Sequence, residues 1–323
     1  MHYAQGGAVA PPTLDVVIPV YNGESFIVQA IESVMSQDYL PVRIIVVDDG
    51  STDRTAALVR ELMGPVPILY HHQENSGLSA ARNAGIRLCT SDYVAFLDAD
   101  DEWYPEKLSS QLKLFAEGDW DNLGVVYCRY IHIDEVGHIA NNYHVVAPDP
   151  ENRGYIFERL LKANMITGSG SGVLVKRSCF ERVSLFDEEL KACEDWDMWL
   201  RLSREYQFDY VDHTLVKIRR HTNNMQKDHN HIYRNLFRFY DKWASEARRC
   251  RWQSNWRSMM ICKIVRDLPD LSSYRLVTQS LSEDAKRQLF YGGDGWIIFF
   301  LILKTPSLLI LALQRLLLRK RIS

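Results

Sequence analysis

A run of acidic residues, Asp98, Asp100 and Asp101, directly follows the apolar stretch Tyr93–Leu97. Neighbouring carboxylates repel one another and are costly to cluster unless a cation neutralises them. Carboxylate oxygens are hard ligands that suit Mg2+ or Mn2+, and these ions in turn bind diphosphates. The run therefore indicates either a metal and diphosphate site, or a helix starting near Pro105 that Asp100 or Asp101 caps.

A second pair of acids, Asp48 and Asp49, follows the apolar stretch Arg43–Val47. An aspartate at the end of such a strand can accept a hydrogen bond from a nucleobase N–H or a ribose hydroxyl. Taken alone, the segment is equally typical of a turn that leads into a helix, with Asp53 as its N-cap. Two acidic strand ends facing one cleft favour a nucleotide site.

Arg82 lies in a segment of small residues, 75–85, that is predicted to begin a helix. Small residues allow a phosphate or a base to approach the backbone closely at a helix N-terminus. The guanidinium group can add planar hydrogen-bond donors. The alternative is an ordinary helix that carries Arg82 on its surface.

The segment Glu194–Asp197 also begins a predicted helix and contains three acids beside Trp196. An acid with aromatic neighbours can act as a general base of raised pKa. Acids at the start of a helix also simply favour the positive end of its dipole, and the sequence alone favours this second interpretation.

Strands and helices alternate along the first 100 residues, and these elements must position the acids. Short β-branched runs are typical of strands buried in a parallel sheet, and apolar residues at helical spacing separate them. The predicted strands are 14–20, 43–47, 68–71, 93–97, 124–130, 173–176 and 210–219, and the predicted helices are 23–38, 53–63, 77–89 and 194–204. This order predicts an α/β fold with a doubly wound sheet, whose ligands lie beyond the carboxyl ends of the strands.

The composition excludes several classes of protein. The 323 residues include 38 Lys and Arg against 41 Asp and Glu, so no basic excess indicates a nucleic-acid partner. The six cysteines form no C-x-x-C pair, which is typical of reduced thiols in a cytosolic protein. The glycine-rich segment 168–172 has neither the Gly-Lys-Ser/Thr of a P-loop nor the G-x-S-x-G register, so it predicts no site.

Five motifs occur in order: VVIPVYN ending at residue 22, VVDDGSTD (46–53), ENSGLSAARNAGI (74–86), FLDADD (96–101) and CEDWDMWLRL (193–202). Together they resemble the family 2 glycosyltransferases over about residues 14–225. The resemblance implies a GT-A fold, a mixed sheet flanked by helices with a helical C-terminal extension. It also implies inverting transfer of a sugar from a nucleotide-diphosphate donor, with UDP the expected nucleotide, to a hydroxyl group.

The resemblance also assigns roles by position. The implied nucleotide-binding residues are Pro19, Tyr21, Asp49, Arg82 and Asp98; the implied ligands of Mn2+ or Mg2+ are Asp98, Asp100 and His221; the implied catalytic base is Asp195. One base to deprotonate the acceptor and one metal to neutralise the leaving diphosphate suffice for direct displacement.

Two features refine the expected function. Processive members of the family carry a Q-x-x-R-W signature, and Tyr206–Arg220 contains none, so a single addition is expected. Two alternatives remain: a nucleotidyltransferase that makes nucleotide sugars, and a non-catalytic nucleotide-sugar-binding module. The first normally has a basic glycine-rich loop after its first strand, whereas Tyr21–Ser25 has no Lys or Arg.

The predicted organisation is a frayed tail (1–12), a catalytic domain (13–225), a helical extension (226–290) and a membrane-associating C-terminus (291–323). The apolar segment Trp296–Leu318 is interrupted by Lys304 and Pro306, and basic residues follow it. This pattern favours a broken helix lying in the cytoplasmic membrane interface over a packed helix or a true span. A peripheral location on the inner face of the cell membrane would suit a glycan or polyprenyl-linked acceptor.

Overall fold

The computed structural model describes residues 10–139, 145–166, 168, 170–221 and 229–250, with no side chain described for 229–234 and 237. These residues fall into two compact units. Of the described residues, the first unit comprises those up to Glu189 together with 194–221, and the second comprises Leu190–Cys193 and those from 229 onward. The predictions for residues 1–9, 251–290 and 291–323 lie outside the described residues.

The first unit contains all the described strands and most of the helices. The strands are β1 (Leu14–Val20), β2 (Arg43–Asp48), β3 (Ile68–His72), β4 (Tyr93–Phe96), β5 (Glu102–Trp103), β6 (Leu123–Ile133), β7 (Leu174–Lys176) and β8 (Gln207–Arg219). The helices are α1 (Ile27–Met35), α2 (Thr55–Glu61), α3 (Leu78–Leu88), α4 (Lys107–Glu117), α5 (Phe157–Lys162), α6 (Ser178–Val183) and α7 (Glu194–Glu205), with one 3-10 turn at Gly170–Gly172.

The strands form one mixed sheet in the order β3-β2-β1-β4-β7-β6-β8-β5. The first four strands of this order are parallel, so their carboxyl ends lie at one edge of the sheet. β7 pairs antiparallel with both β4 and β6, and β8 runs parallel to β6. Every residue of β1 is buried, as expected for a central strand covered on both faces.

Element boundaries differ from prediction mainly where turns need special backbone geometry. The helix predicted over residues 23–38 occupies only Ile27–Met35. Asn22 has a positive φ of 51°, and a turn in which the Phe26 N–H donates to the Gly23 carbonyl precedes the helix. The predicted N-cap of the next helix is wrong by one residue: Arg54 stands at the N-cap of α2 and makes no side-chain cap, while Asp53 accepts a hydrogen bond from the Thr55 N–H at 2.9 Å.

Helix α3 packs closely on β1 because Gly85 has no side chain. A Cβ atom built at Gly85 would lie 2.3 Å from Val17 Cγ1. Overpacking of this kind costs about 1–3 kcal/mol, while helix propensity returns about 1 kcal/mol, so we expect Gly85→Ala to lower the free energy of unfolding by about 1 kcal/mol. Urea unfolding measures the change, with the exposed Arg87→Ala on the same helix as control; equal stability of the two variants would contradict this packing.

The second unit contains the helix α8 (His229–Arg249). The N–H of Lys191 donates to Asn235 Oδ1 at 2.9 Å, which ties the short segment Leu190–Cys193 to this helix. Within the described part of the chain, no helix is both long enough and apolar enough to cross a bilayer.

Candidate active site

The predicted site residues of the first turns lie where β1 and β2 end. Pro19 is buried in β1 opposite Val47, and Tyr21 directly follows the strand with 55% of its surface exposed. The side chain of Asn22 accepts from the Thr52 N–H at 2.8 Å, so the turns after the two strands are joined. The exposed ring of Tyr21 is therefore held at the carboxyl edge of the sheet.

The Asp49 side chain, although far from helix α3 in the sequence, binds the backbone just before that helix begins. Its carboxylate accepts from the N–H groups of Ser76 at 2.9 Å and Gly77 at 2.7 Å, and from the Gln73 amide at 2.7 Å. Gly77 adopts a φ of 94°, which glycine adopts without the steric cost of a side chain. A carboxylate at this end of a helix is favoured by the helix dipole. Asp49 thus fixes α3 to the β2 turn, and its role towards a nucleobase stays a prediction.

The Asp48 side chain has other partners than Asp49, and its contacts stabilise the turn after β2 and the neighbouring strand β3. Its carboxylate accepts from the Ser51 N–H and from the Tyr70 hydroxyl, at 2.8 and 2.5 Å. Burial raises the pKa of Asp48, but these hydrogen bonds outweigh burial and leave the pKa below its usual value. Of the two acids in this turn, only Asp49 contacts a helix N-terminus.

The acidic run after β4 does not cap the following helix. Asp100 Oδ2 lies 2.9 Å from His221 Nε2, and Asp101 accepts from the Ser171 hydroxyl at 2.6 Å and the Arg219 N–H at 3.0 Å. The alternative of a helix cap near Pro105 is wrong, because α4 begins at Lys107 with no side-chain cap. Through Asp100 and Asp101 the run instead joins the strand ends to the end of β8.

Asp100 and His221 contact each other at hydrogen-bond distance, and both side chains are of types that bind divalent cations. Adjacent ligands at about 2.1 Å from an octahedral ion lie about 3 Å apart, which matches their 2.9 Å separation. Burial and the charge of Asp98 both raise the pKa of Asp100, which means that its ionised form is destabilised. A nearby cation would stabilise that ionised form. Among the described residues no group of three His, Cys, Asp or Glu side chains already has the arrangement of a metal site.

Arg82 bridges two of the acidic turns. Its Nη2 donates to Asp98 Oδ1 and its Nη1 donates to Glu194 Oε1, each at 2.8 Å. Only 1% of Arg82 is exposed, so the alternative of a surface arginine is wrong. Its guanidinium carbon also lies 5.5 Å from the centre of the Phe186 ring. The bridge brings the start of α7 to the acidic run after β4.

Asp195 follows Glu194 at the start of α7 and is half-buried. Its Oδ1 accepts from the Trp196 N–H at 2.6 Å, and Asn164 Nδ2 approaches its Oδ2 at 3.4 Å. Asp197 is fully buried and forms an ion pair with Arg201 at 2.9 Å. The three acids at this helix start therefore divide between a bridge to Arg82, a partly exposed carboxylate and an internal ion pair.

Glu194 should make stability depend on pH. Burial, followed by the charge of Asp195, raises its pKa from 4.5 to about 7, although Arg82 opposes the change. Between these values the folded chain keeps a proton that the unfolded chain releases, so rising pH favours unfolding. We expect the free energy of unfolding to fall by at most about 3 kcal/mol between about pH 4.5 and 7, and to lose no more above that range.

Urea unfolding of the wild type and of Glu194→Gln, at about pH 5 and about pH 7.5, checks this expectation. Glutamine has no proton to release, so the free energy of unfolding of the variant should not show the decrease with pH that Glu194 causes in the wild type. An identical decline in both proteins would contradict the raised pKa.

Sequence reasoning missed Ser171. Its hydroxyl accepts from the Asp98 N–H at 3.1 Å while donating to Asp101, and its carbonyl accepts from Trp103 Nε1 at 2.9 Å. The glycine on its N-terminal side leaves room for Arg82, since a Cβ at Gly170 would lie 2.9 Å from Nη2. The glycine-rich segment was the available signal, but it matches no phosphate-binding pattern and so predicted nothing.

Comparison of the sequence with known proteins assigns the chain to a protein family. The model of the family described as glycosyl transferase family 2 matches residues 15–184. A Rickettsia typhi protein named an uncharacterized glycosyltransferase is 35% identical over 217 residues, covering 65% of this chain and 64% of that protein. The glycosyl transferase WcaA of Escherichia coli, assigned to colanic acid biosynthesis, is 32% identical over 198 residues, covering 60% and 67%. The chain thus spans less than two thirds of the Rickettsia relative.

The crystal structure of Staphylococcus aureus TarS residues 1–349 in complex with UDP-GlcNAc resembles the fold. The TM-score is 0.57 at 16% identity, and the match covers 90% of this chain and 81% of that one. The predicted fold class, a GT-A mixed α/β sheet flanked by helices, is confirmed by this likeness. The resemblance to family 2 is confirmed by the family model, whose matched residues contain the first four motifs and end before the fifth at 193–202.

Proposed function

Because this chain belongs to glycosyl transferase family 2, we propose that it transfers one sugar, with inversion, from a nucleotide-diphosphate sugar to a hydroxyl group of an acceptor. The catalytic part is residues 13–225. The observation that carries the proposal is the bridge through Arg82, which joins Asp98 of the donor side to Glu194, the neighbour of Asp195.

Asp195 is the proposed general base. It is half-buried at the start of α7, one residue from Glu194, whose side chain Arg82 joins to Asp98. The carboxylate would take the proton of the acceptor hydroxyl as the oxygen attacks the sugar. A base within hydrogen-bond reach typically contributes about 10²–10⁴-fold to the rate. A second catalytic carboxylate, as in a glycosidase, is not needed for direct displacement.

Asp100 and His221, together with Asp98, are the proposed ligands of Mn2+ or Mg2+. When bound, the ion supplies positive charge that neutralises the diphosphate as it leaves. The protein contributes the hydrogen bonds from Ser171 and Arg219 to Asp101, which hold the acidic run against the end of β8. This arrangement keeps Asp100 beside His221 before any donor arrives.

Pro19, Tyr21 and Asp49 are proposed to receive the nucleobase, with Arg82 and Asp98 on the phosphate side. The exposed Tyr21 ring and the carboxylate of Asp49 follow neighbouring strands, β1 and β2. UDP is the proposed nucleotide, and the complex of TarS with UDP-GlcNAc supports this choice because the two folds are alike.

The proposed acceptor is a glycan or a polyprenyl-linked sugar in surface polysaccharide or cell-envelope biosynthesis. The assignment of the relative WcaA to colanic acid biosynthesis supports a role of this kind. We further propose that the C-terminal segment holds the protein on the cytoplasmic face of the membrane. Truncation after Gly295 tests this: partition between cytosol and membranes unchanged by the truncation would exclude the segment as an anchor.

The test of the function is release of UDP from a panel of UDP-sugars in Mn2+, with GDP- and dTDP-sugars as controls for the base. Release of the nucleoside diphosphate supports transfer. Release of pyrophosphate from a sugar phosphate and a nucleoside triphosphate would favour a nucleotidyltransferase instead. Tight binding of UDP-sugars without turnover, under all acceptors tried, would favour a binding module.

A further inference from the structure

We propose that Glu194 is a positioning residue, which sets the place of Asp195 relative to the donor acids by holding Arg82. The inference rests on the proposed function and adds to it a residue that need not touch either substrate. Glu194 and Arg82 are both buried, so neither is readily available to solvent or to an acceptor.

The guanidinium group of Arg82 connects the acidic run after β4 with the start of α7. Nη1 of Arg82 is held by Glu194 and Nη2 by Asp98, and both distances are 2.8 Å. Because Asp195 is covalently joined to Glu194, any displacement of Glu194 moves the backbone that carries the proposed base. Arg82 itself sits on α3, and Asp49 accepts hydrogen bonds from the N–H groups of Ser76 and Gly77 just before that helix.

The surroundings leave Arg82 little freedom to compensate for a change at Glu194. The Phe186 ring lies 5.5 Å from its guanidinium carbon. On another side is Gly170, where even a methyl group would come within 2.9 Å of Nη2. Among the described residues its buried Nε has no hydrogen-bond partner, so the two Nη contacts alone fix its orientation by hydrogen bonds.

The charges around Arg82 also support a positioning role for Glu194. Arg82 is the cation that Asp98, Glu194 and Asp195 all act on, and these acids raise its pKa. A guanidinium group binds a carboxylate with fixed planar geometry, so it can define the distance between two acids and not merely offset their charge. Glu194 can therefore act in two ways: through its negative charge, or through the length of its side chain, which sets where Arg82 lies.

Two variants distinguish reach from charge. Glu194→Gln keeps an oxygen at the position that Arg82 binds but removes the charge, whereas Glu194→Asp keeps the charge but shortens the side chain by one methylene. We expect Glu194→Asp to lower kcat for UDP release about 10–100-fold, because a misplacement near 1 Å has effects of this size. We expect Glu194→Gln to recover most of that loss, and the Kd for UDP with Mn2+ to change little in both.

Arg201→Gln is the matched control, because it breaks another ion pair of α7, with Asp197, away from the bridge. It should be destabilised while retaining the kcat of the wild type, which shows that weakening α7 alone does not slow turnover. Urea unfolding establishes that each variant is folded under assay conditions.

Four outcomes would contradict the inference. A Glu194→Asp variant with the kcat of the wild type, or a Glu194→Gln variant slower than Glu194→Asp, overturns the inference and leaves the proposed function standing. Equal loss of kcat in Arg201→Gln also overturns it. A folded wild type that turns over no nucleotide sugar overturns the proposed function and the inference together.

Discussion

Replacing Asp195 by asparagine is expected to abolish sugar transfer while leaving the affinity for the donor nearly intact. Asparagine has almost the shape of aspartate but cannot accept the proton of the acceptor hydroxyl. The half-buried carboxylate sits at the start of α7, next in the chain to Glu194, which Arg82 joins to Asp98. We therefore expect kcat to fall by about 10²–10⁴-fold, the usual contribution of a general base.

The measurement is the initial rate of UDP release together with the Kd for UDP and Mn2+ from calorimetric titration. Glu205→Gln is the control, because it removes one carboxylate from the far end of the same helix, where Glu205 pairs with Arg182. Near-normal turnover of Asp195→Asn would mean that the base is another group. A large loss of UDP affinity would mean that Asp195 binds the donor instead.

Replacing Asp100 by alanine is expected to weaken donor binding in the presence of Mn2+. The change removes the carboxylate that lies 2.9 Å from His221 Nε2 and so removes one of the proposed metal ligands. A metal ion contributes several kcal/mol to stabilising the leaving group, so kcat/KM should fall by about 100-fold or more. The affinity for UDP should lose its dependence on Mn2+.

Calorimetric titration of UDP with and without Mn2+, in wild type and variant, checks this expectation. Glu106→Ala is the control, since Glu106 is an exposed acid six positions along the chain and makes no side-chain cap of α4. His221→Ala should change the Mn2+ dependence in the same direction as Asp100→Ala. An Asp100→Ala variant whose UDP affinity still rises with Mn2+ would contradict the assignment of this ligand.

The sequence by itself determined the features that depend on neighbours along the chain. The apolar runs specify β1 and β2, because a strand buried on both faces needs continuous β-branched residues. The hydrogen bond from the Thr55 N–H to Asp53 spans only two residues, so a polar contact before α2 was readable from the sequence, although the N-cap itself is Arg54. The ordered motifs identified the family, because their spacing is fixed by the elements between them, and the family model matches the part of the chain that contains the first four.

Tertiary structure alone decided which acids share a partner. Arg82 meets Glu194 across 112 positions, His221 meets Asp100 across 121, and Ser171 meets Asp101 across 70. No local pattern carries such pairings, because they depend on the order of strands in the sheet and on how α7 approaches the strand ends. Burial of Arg82 follows from the same packing, so its segment is equally consistent with a surface arginine until the sheet is assembled. The chain thus supplies the chemical groups locally, and the fold selects their partners because only the assembled sheet brings distant turns to one edge.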